Sequence, residues 1–296
     1  MSALTQTASP AISDSIAGTP LAGRHVLMIV ENLPLPFDRR VWQEARTLVA
    51  AGAKVSIICP KGKGFEASFE QIEGVDICRH PLPLEASGAL GFALEYGAAF
   101  LWETWLAWRI FLKRRFDVIH GCNPPDLIFL VALPFKLFGV KFLFDHHDIN
   151  PELYEAKFGK RGPFWKLMVW LERLTFRSAD VSIATNESYR AIAIERGKMD
   201  PAKVHVVRSG PDLSRLTQVP PAPRWKNGRA HMVGYVGVMG TQEGIDLLIE
   251  AIDLIVHQLG RTDIQFVLVG GGPSLAALKQ LAEDKQVSPF VTFTGR

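Results

Sequence analysis

The sequence predicts an α/β protein built from two doubly wound units, each a parallel sheet with helices on both faces. Three observations carry that prediction. Short β-rich apolar runs recur along the chain, and helically spaced stretches separate most of them. A proline-rich, aperiodic stretch at 211–229 interrupts this rhythm, which then restarts. The 296 residues, 48% of them hydrophobic, are enough for two cores.

In chain order, "RHVLMIV" (24–30) is a predicted strand that runs into a loop holding Pro34 and Pro36. "RRVWQEARTLVAAG" (39–52) has helical spacing and a terminal glycine, and "KVSIIC" (54–59) and "VDICRH" (75–80) read as strands. A helix over 88–114 precedes the strand "DVIH" (117–120). Pro124 and Pro125 are then expected to open a helix ending near Gly139, because proline suits a first helical turn. The strand "VKFLFD" (140–145), a helix over 163–178, "VSIAT" (181–185), a helix over 187–197 and "KVHVV" (203–207) complete the first unit. Strands at 231–238, 264–269 and 290–293 alternate with helices at 244–259 and 273–286 in the second. Alternation of this kind implies a parallel sheet covered on both sides. The predicted organisation is a disordered tail (1–22), a first domain (23–210), a linker (211–229) and a partial second domain (230–296).

Composition narrows the function. A net charge of +3 is too small to argue for nucleic acid. Cys59, Cys78 and Cys122 have no paired spacing, so they offer neither a disulfide framework nor a zinc motif and fit a reducing compartment. The tail lacks the basic start and apolar run of a signal peptide. Residues 88–112 are long enough to span a bilayer, but Glu95, Glu103 and Arg109 would be costly at its centre. Two readings remain for this stretch. It is a long, mostly buried helix, or it touches a membrane surface, since Trp102, Trp105 and Trp108 recur every three residues before the basic run Lys113–Arg115. From Arg109 to Arg177 twelve Lys/Arg face seven Asp/Glu, which favours an anionic surface for the second reading.

Ligands of open parallel sheets gather at the carboxyl ends of the strands. That singles out loops 31–38, 120–126, 145–155, 208–212, 237–243 and 270–273. In "FLFDHHDINPELY" (142–154) the adjacent histidines leave a strand on opposite faces, which is poor zinc geometry. At most one of His146 and His147 therefore faces the ligand edge. No G-x-S-x-G elbow accompanies them, so a Ser-His-Asp hydrolase is excluded. "YVGVMGTQEGID" (235–246), with Gly237, Gly240, Thr241 and Gly244, is either a phosphate cradle at a helix N-terminus or an ordinary βα turn. "VGGGP" (269–273), with Gly271 and Gly272, repeats the pattern one unit later. Arg208 in "VVRSGPD" is either a phosphate partner or a surface arginine.

The ordered set "ENLPLPFDRRVWQEARTLVAAGAKVSIICP", "DVIHGCNPPDL", "DHHDINPELY", "VVRSGPD", "GYVGVMGTQEGIDLLIEAI" and "FVLVGGGP…VTFTGR" resembles the retaining, nucleotide-sugar-dependent glycosyltransferases of family 4, many of them bacterial polysaccharide enzymes. The resemblance runs from about residue 24 to the end. It implies the GT-B fold, with two Rossmann-like domains facing a cleft, the first holding the acceptor and the second the nucleoside-diphosphate sugar. It places His147 at the transferred sugar, with Asp148 and Glu152 as partners. Arg208, Gly237, Gly240, Thr241, Gly244, Gly271 and Gly272 fall at the donor phosphates, and Asp38, Arg39, Arg40 and Asn123 on the acceptor side.

No metal and no cofactor besides the sugar nucleotide is expected. The acceptor is expected to be a glycan or lipid-linked molecule, used at the cytoplasmic face of the cell membrane in making surface polysaccharide. Where many relatives carry an arginine and a lysine for the diphosphate, this chain has Val238 and Glu243. The alternatives are a sugar-nucleotide epimerase of the same architecture and an inactive remnant. Because "VTFTGR" stops where a βα unit would continue, the second domain is expected to be incomplete, to expose apolar surface on 273–286 and 290–293, and to support little transfer by itself.

Overall fold

The computed structural model describes residues 19–82, 88–124, 126–211 and 216–295. Residues 1–18 of the expected tail lie outside these. Residues 19–22, expected to belong to the tail, form a turn in which Leu21 N donates to Ala51 O at 2.9 Å. Two compact units meet between Leu216 and Thr217.

The first unit is built on one sheet of eight strands among the described residues. Its members are β1 (His25–Ile29), β2 (Lys54–Pro60), β3 (Phe69–Ile72), β4 (Val75–His80), β5 (Val118–Cys122), β6 (Lys141–His146), β7 (Val181–Ala184) and β8 (Val204–Val206). They lie in the order β3-β4-β2-β1-β5-β6-β7-β8, all parallel except β3, which pairs antiparallel with β4. β3 was not expected. Its sequence "FEQI" is a short, half-exposed edge strand, too brief and too polar to announce itself.

Period-two alternation divides the central strands between two cores. Val26, Met28 and Val30 face one side, where Val41 and Ala45 of α1 (Arg39–Ala50) cover them. Leu27 and Ile29 face the other, beneath α2 (Gly88–Lys113), α3 (Phe129–Lys136) and α5 (Pro163–Ser178). α1 is capped by the Asp38 side chain, which accepts from Val41 N at 3.1 Å. α3 begins at Phe129, five residues after Pro124, and holds Pro134 within it. The expected proline start is thus corrected: Asn123 Nδ2 donates to Asp126 Oδ1 at 3.2 Å ahead of the helix, and Pro125 lies outside the described residues. The loop expected over 145–155 holds a further helix, α4 (Asn150–Phe158), with Pro151 in its first turn. α6 (Glu187–Glu195) completes the unit.

The second unit has strands in the order β11-β10-β9: β9 (His231–Val236), β10 (Ile264–Val269) and β11 (Val291–Gly295), all parallel. The apolar stripes of α7 (Ile245–Asp253) and α8 (Leu275–Asp284) converge on Phe266, Leu268 and Val291. Much of the proline-rich stretch belongs to this unit. Arg229, at its end, donates to Thr262 O at 3.1 Å and lies 4.5 Å from the Phe290 ring centroid. Exposed apolar surface in the sheet is concentrated on β9, where Met232, Val233 and Val236 stand open, and not on α8 and β11, where it was expected. The apolar stripes of the two helices face Phe266, Leu268 and Val291 and leave these β9 side chains uncovered.

Phe135 is fully buried, with ring centroids of Trp108, Phe111 and Phe116 at 4.6, 5.2 and 5.1 Å. Phe135→Ala should destabilise the protein by about 3–5 kcal/mol. Leu137→Ala, at an exposed position two residues on, should change stability by less than about 0.5 kcal/mol. Urea midpoints followed by tryptophan fluorescence check both.

Candidate functional site

The strand order brings the carboxyl ends of β5 and β6 beside the first turns of α1. At their meeting point sits Asp145, fully buried. Arg40 grips it bidentately, Nε to Oδ2 at 3.0 Å and Nη2 to Oδ1 at 2.8 Å. The same guanidinium reaches the chain after β8, donating to Val207 O at 2.9 Å and Ser209 Oγ at 3.1 Å. His147 Nδ1 lies 3.2 Å from Asp145 Oδ2. Burial is the largest influence on the Asp145 carboxyl and opposes its ionisation, but His120, His147 and Arg40 outweigh it and hold the group well below the usual carboxylate range. His147 is moved the other way: burial works against its charged form, and bonding to Asp145 prevails and raises its pKa.

Two residues that the sequence did not offer join this cluster. Glu44, one turn after Arg40 on α1, places Oε1 3.2 Å from Arg40 Nη2 and Oε2 3.5 Å from His120 Nε2. His120 Nε2 is 3.7 Å from Asp145 Oδ2. Neither His120 contact is hydrogen-bonded, so the attraction is electrostatic. Burial, partly offset by His120, pushes Glu44 up to about 7.

His120, Cys122 and Asp145 bring one ligand atom each within 4.8 Å of one another, a convergence from neighbouring strands that sequence spacing cannot show. Their chemistry does not fit a metal. Both Asp145 oxygens already bond to a guanidinium, and burial keeps the Cys122 thiol far above its ordinary value, so it stays protonated. A metal ion here would sit against Arg40.

The two histidines take different environments. His146 is fully buried between the rings of Phe144, Phe176 and Tyr189, with Nε2 3.4 Å from Glu172. His147 leaves β6 on the Asp145 side. Its loop is held by Asn123, whose Oδ1 accepts from His147 N (2.9 Å) and Asp148 N (3.1 Å) while its Nδ2 donates to Asp126 Oδ1 (3.2 Å) and Asp148 O (2.6 Å). That fills the hydrogen-bonding capacity of the amide, so Asn123 shapes the loop. The Asp148 carboxyl is half-buried, and desolvation raises its pKa despite the nearby histidines.

Glu152 does not join His147. It lies on α4 and pairs through both oxygens with Arg196, which also grips the buried Glu172 at 2.6 and 2.7 Å. Of the other expected residues, Asp38 caps α1, Arg39 is exposed, and Arg208 stands exposed after β8 with no ion pair among the described residues.

In the second unit the glycine turns pack backbone on backbone. Gly237 N donates to Val269 O at 3.0 Å, and Met239 N to Gly271 O at 2.9 Å. A side chain at Gly270 would place its Cβ 1.8 Å from Gly237 O, and at Gly272 2.5 Å from Met239 O. Close approach therefore explains these two glycines. The Gly237 N–H is thereby bonded within the unit. What remains is Gly240 and Thr241, leading into the turn Thr241–Glu243, and Gly244, which is left-handed (φ 67°) at the start of α7.

Residues 38–210, more than half of the chain, match the family described as Glycosyl transferase 4-like domain, and residues 230–296 match Glycosyl transferases group 1. The alpha-maltose-1-phosphate synthase of Mycolicibacterium smegmatis is 28% identical over 156 residues, 50% of this chain but only 38% of that protein. The chain thus aligns with well under half of that relative. Sucrose-phosphate synthase from Thermosynechococcus elongatus superposes with a TM-score of 0.68 at 18% identity, over 92% of this chain and 70% of the other. The Anabaena HepE protein in complex with UDP and glucose gives 0.61 at 15%, over 92% and 69%. These likenesses establish the α/β fold with two Rossmann-like domains of GT-B type.

Glu44 sets a pH signature for the cluster. Between the ordinary carboxyl value of 4.5 and about 7, the folded chain keeps a proton that the unfolded chain has lost. Its contribution to stability therefore falls as pH rises through that window and levels off above it. Relative to the parent, Glu44→Gln should gain stability from pH 4.5 to 7, by on the order of 1–3 kcal/mol. Urea unfolding across pH measures this, and a pH-independent difference would show that Glu44 is ionised throughout.

Proposed function

The chain belongs to the glycosyl transferase 4-like family, and from that membership we propose that it transfers a sugar from a nucleoside diphosphate to an acceptor with retention at the anomeric carbon. The observation that carries the reading is His147, an imidazole held from behind by a buried, ionised Asp145 that Arg40 fixes in place. With Nδ1 bound to Asp145, Nε2 is the ring atom left to donate to a sugar hydroxyl. Bonding to Asp145 raises the His147 pKa, which favours the doubly protonated ring in which Nε2 carries a hydrogen. Transfer with retention requires stabilisation of an oxocarbenium-like centre and of the departing diphosphate. The positive end of α7 and the turn at Gly240, Thr241 and Gly244 are the groups we assign to the diphosphate. The donor is a UDP- or GDP-sugar, and UDP stands in the HepE complex as that protein's ligand.

We assign the acceptor to the first unit, as a glycan or lipid-linked molecule of surface polysaccharide synthesis at the cytoplasmic face of the membrane. An epimerase is not favoured, because both matching families are of glycosyl transferases.

Free nucleoside diphosphate, measured with and without acceptor, tests the reading. It should form only when acceptor is present, and proton NMR of the product should show the donor's anomeric configuration. Release without acceptor, or conversion of the donor to another sugar nucleotide, would overturn it. His147→Ala should lower kcat/KM by roughly 10²–10³-fold with an unchanged fold, and His146→Ala should act chiefly on stability.

A further inference from the structure

The helix layer over one face of the first sheet is apolar on its outside as well as its inside. α2 buries Glu103, Leu106, Ala107 and Phe111, yet its outward face carries Leu101, Trp102, Trp105 and Leu112, all exposed. α3 buries Phe129, Val131, Ala132 and Phe135, while Leu130, Leu133 and Leu137 form an outward stripe at helical spacing. α5 repeats the pattern with Phe164, Leu167 and Trp170 turned outward and Phe176 turned in. All three helices rest on the same core, and Trp108 of α2 packs against Phe135 and Phe138 at 4.6 and 5.9 Å. Their outer stripes are therefore neighbours on one surface, larger than the scattered exposed apolar residues of an ordinary water-facing layer.

Charge says what covers that surface. Lys113, Arg114 and Arg115 close α2, while Lys166, Arg173 and Arg177 line α5; these six are exposed and without an acidic partner among the described residues. The acidic residues of the same stretch are withdrawn. Asp126, Asp145 and Glu172 are buried, Asp148 is half-buried, and Asp117, Glu152 and Glu155 are ion-paired. Arg109 stacks over the Trp105 ring at 5.4 Å, which keeps a cation beside an exposed indole. Tryptophan, leucine and flanking arginine or lysine on a helix surface are the composition of a membrane interface, where indoles sit at headgroup depth and cations meet anionic lipid. Among the described residues no helix is long and apolar enough to cross a membrane, so the contact lies in the plane of the surface.

We propose that the outer face of α2, α3 and α5 docks on an anionic lipid bilayer. This stands apart from the transferase reading, since it uses none of the site residues and its test involves no turnover.

Co-sedimentation of the full chain with vesicles of phosphatidylcholine containing about a quarter phosphatidylglycerol should show binding at about 50 mM salt that weakens tenfold or more at about 500 mM. Vesicles of phosphatidylcholine alone should bind at least tenfold less. The double variant Trp102→Ser, Trp105→Ser and the separate variant Arg114→Glu, Arg115→Glu should each lose about tenfold or more, with the parent's circular dichroism. The two variants alter different chemistry at exposed positions, so agreement between them supports the proposal. No co-sedimentation at low salt, or binding indifferent to both variants, would overturn it. So would a concentration-dependent dimer that the tryptophan variant dissociates in the absence of vesicle binding, which would assign the face to a second copy of the chain.

Discussion

The buried pair of Arg40 and Asp145 is the constraint on which the first unit's ligand edge depends. A carboxylate with no solvent exposure cannot stay ionised alone, and its desolvation would push it towards the neutral acid. The bidentate guanidinium prevents that, and removing either member of such a pair typically costs about 3–5 kcal/mol because a buried charge is left unmatched. The geometry ties three separate parts of the chain together. Arg40 is on α1, Asp145 ends β6, and the bonds to Val207 O and Ser209 Oγ fix the chain after β8. His147 is oriented as a consequence, because its Nδ1 has only the Asp145 oxygen to meet.

A second ionic network holds the same loop from the opposite side. Glu152 of α4, Glu172 of α5 and Arg196 after α6 form a chain of charge-assisted bonds, with His146 against Glu172. Asn123 closes the gap from β5 by binding the backbone of His147 and Asp148. The segment from Asp145 to Glu152 is thus fixed at its first residue, in its middle and at its end. A site held from three directions loses little entropy when a ligand arrives, which is the condition for a short polar loop to orient a sugar.

Much of this was legible in the sequence, and what was not had physical causes. The alternation of strands and helices located the carboxyl-terminal edge of the sheet, and the period of two separated His146 from His147. Arg40 and His147 could be named, but their meeting at Asp145 depends on β1 lying between β2 and β5, which no local pattern encodes. Glu44 and His120 were invisible for that reason: one sits on a helix and the other on a strand 76 positions away, and only the strand order brings them together. Glu152 was misplaced because the loop was expected to remain irregular. α4 begins at Asn150 and swings that carboxylate to Arg196. Pro124 misled because a helix start was inferred from φ preference alone, whereas the helix begins at Phe129, after the Asn123–Asp126 side-chain bond.

The two units reach functional edges by different physical means. In the first, charged side chains supply both the stability and the chemistry, so its edge is rich in directional groups suited to hydroxyls. In the second, Gly270 and Gly272 let one βα turn lie directly on the backbone of another, and the bonds between them are amide to carbonyl. That edge carries few side chains and offers chiefly oriented backbone dipoles, with Gly244 giving α7 its left-handed entry. Backbone dipoles suit a phosphate, because they need no counter-charge to be buried with them. Val238 and Glu243 fit this division: neither brings a cation to the second unit's first turn, so the positive end of α7 is left as its principal attraction for an anion.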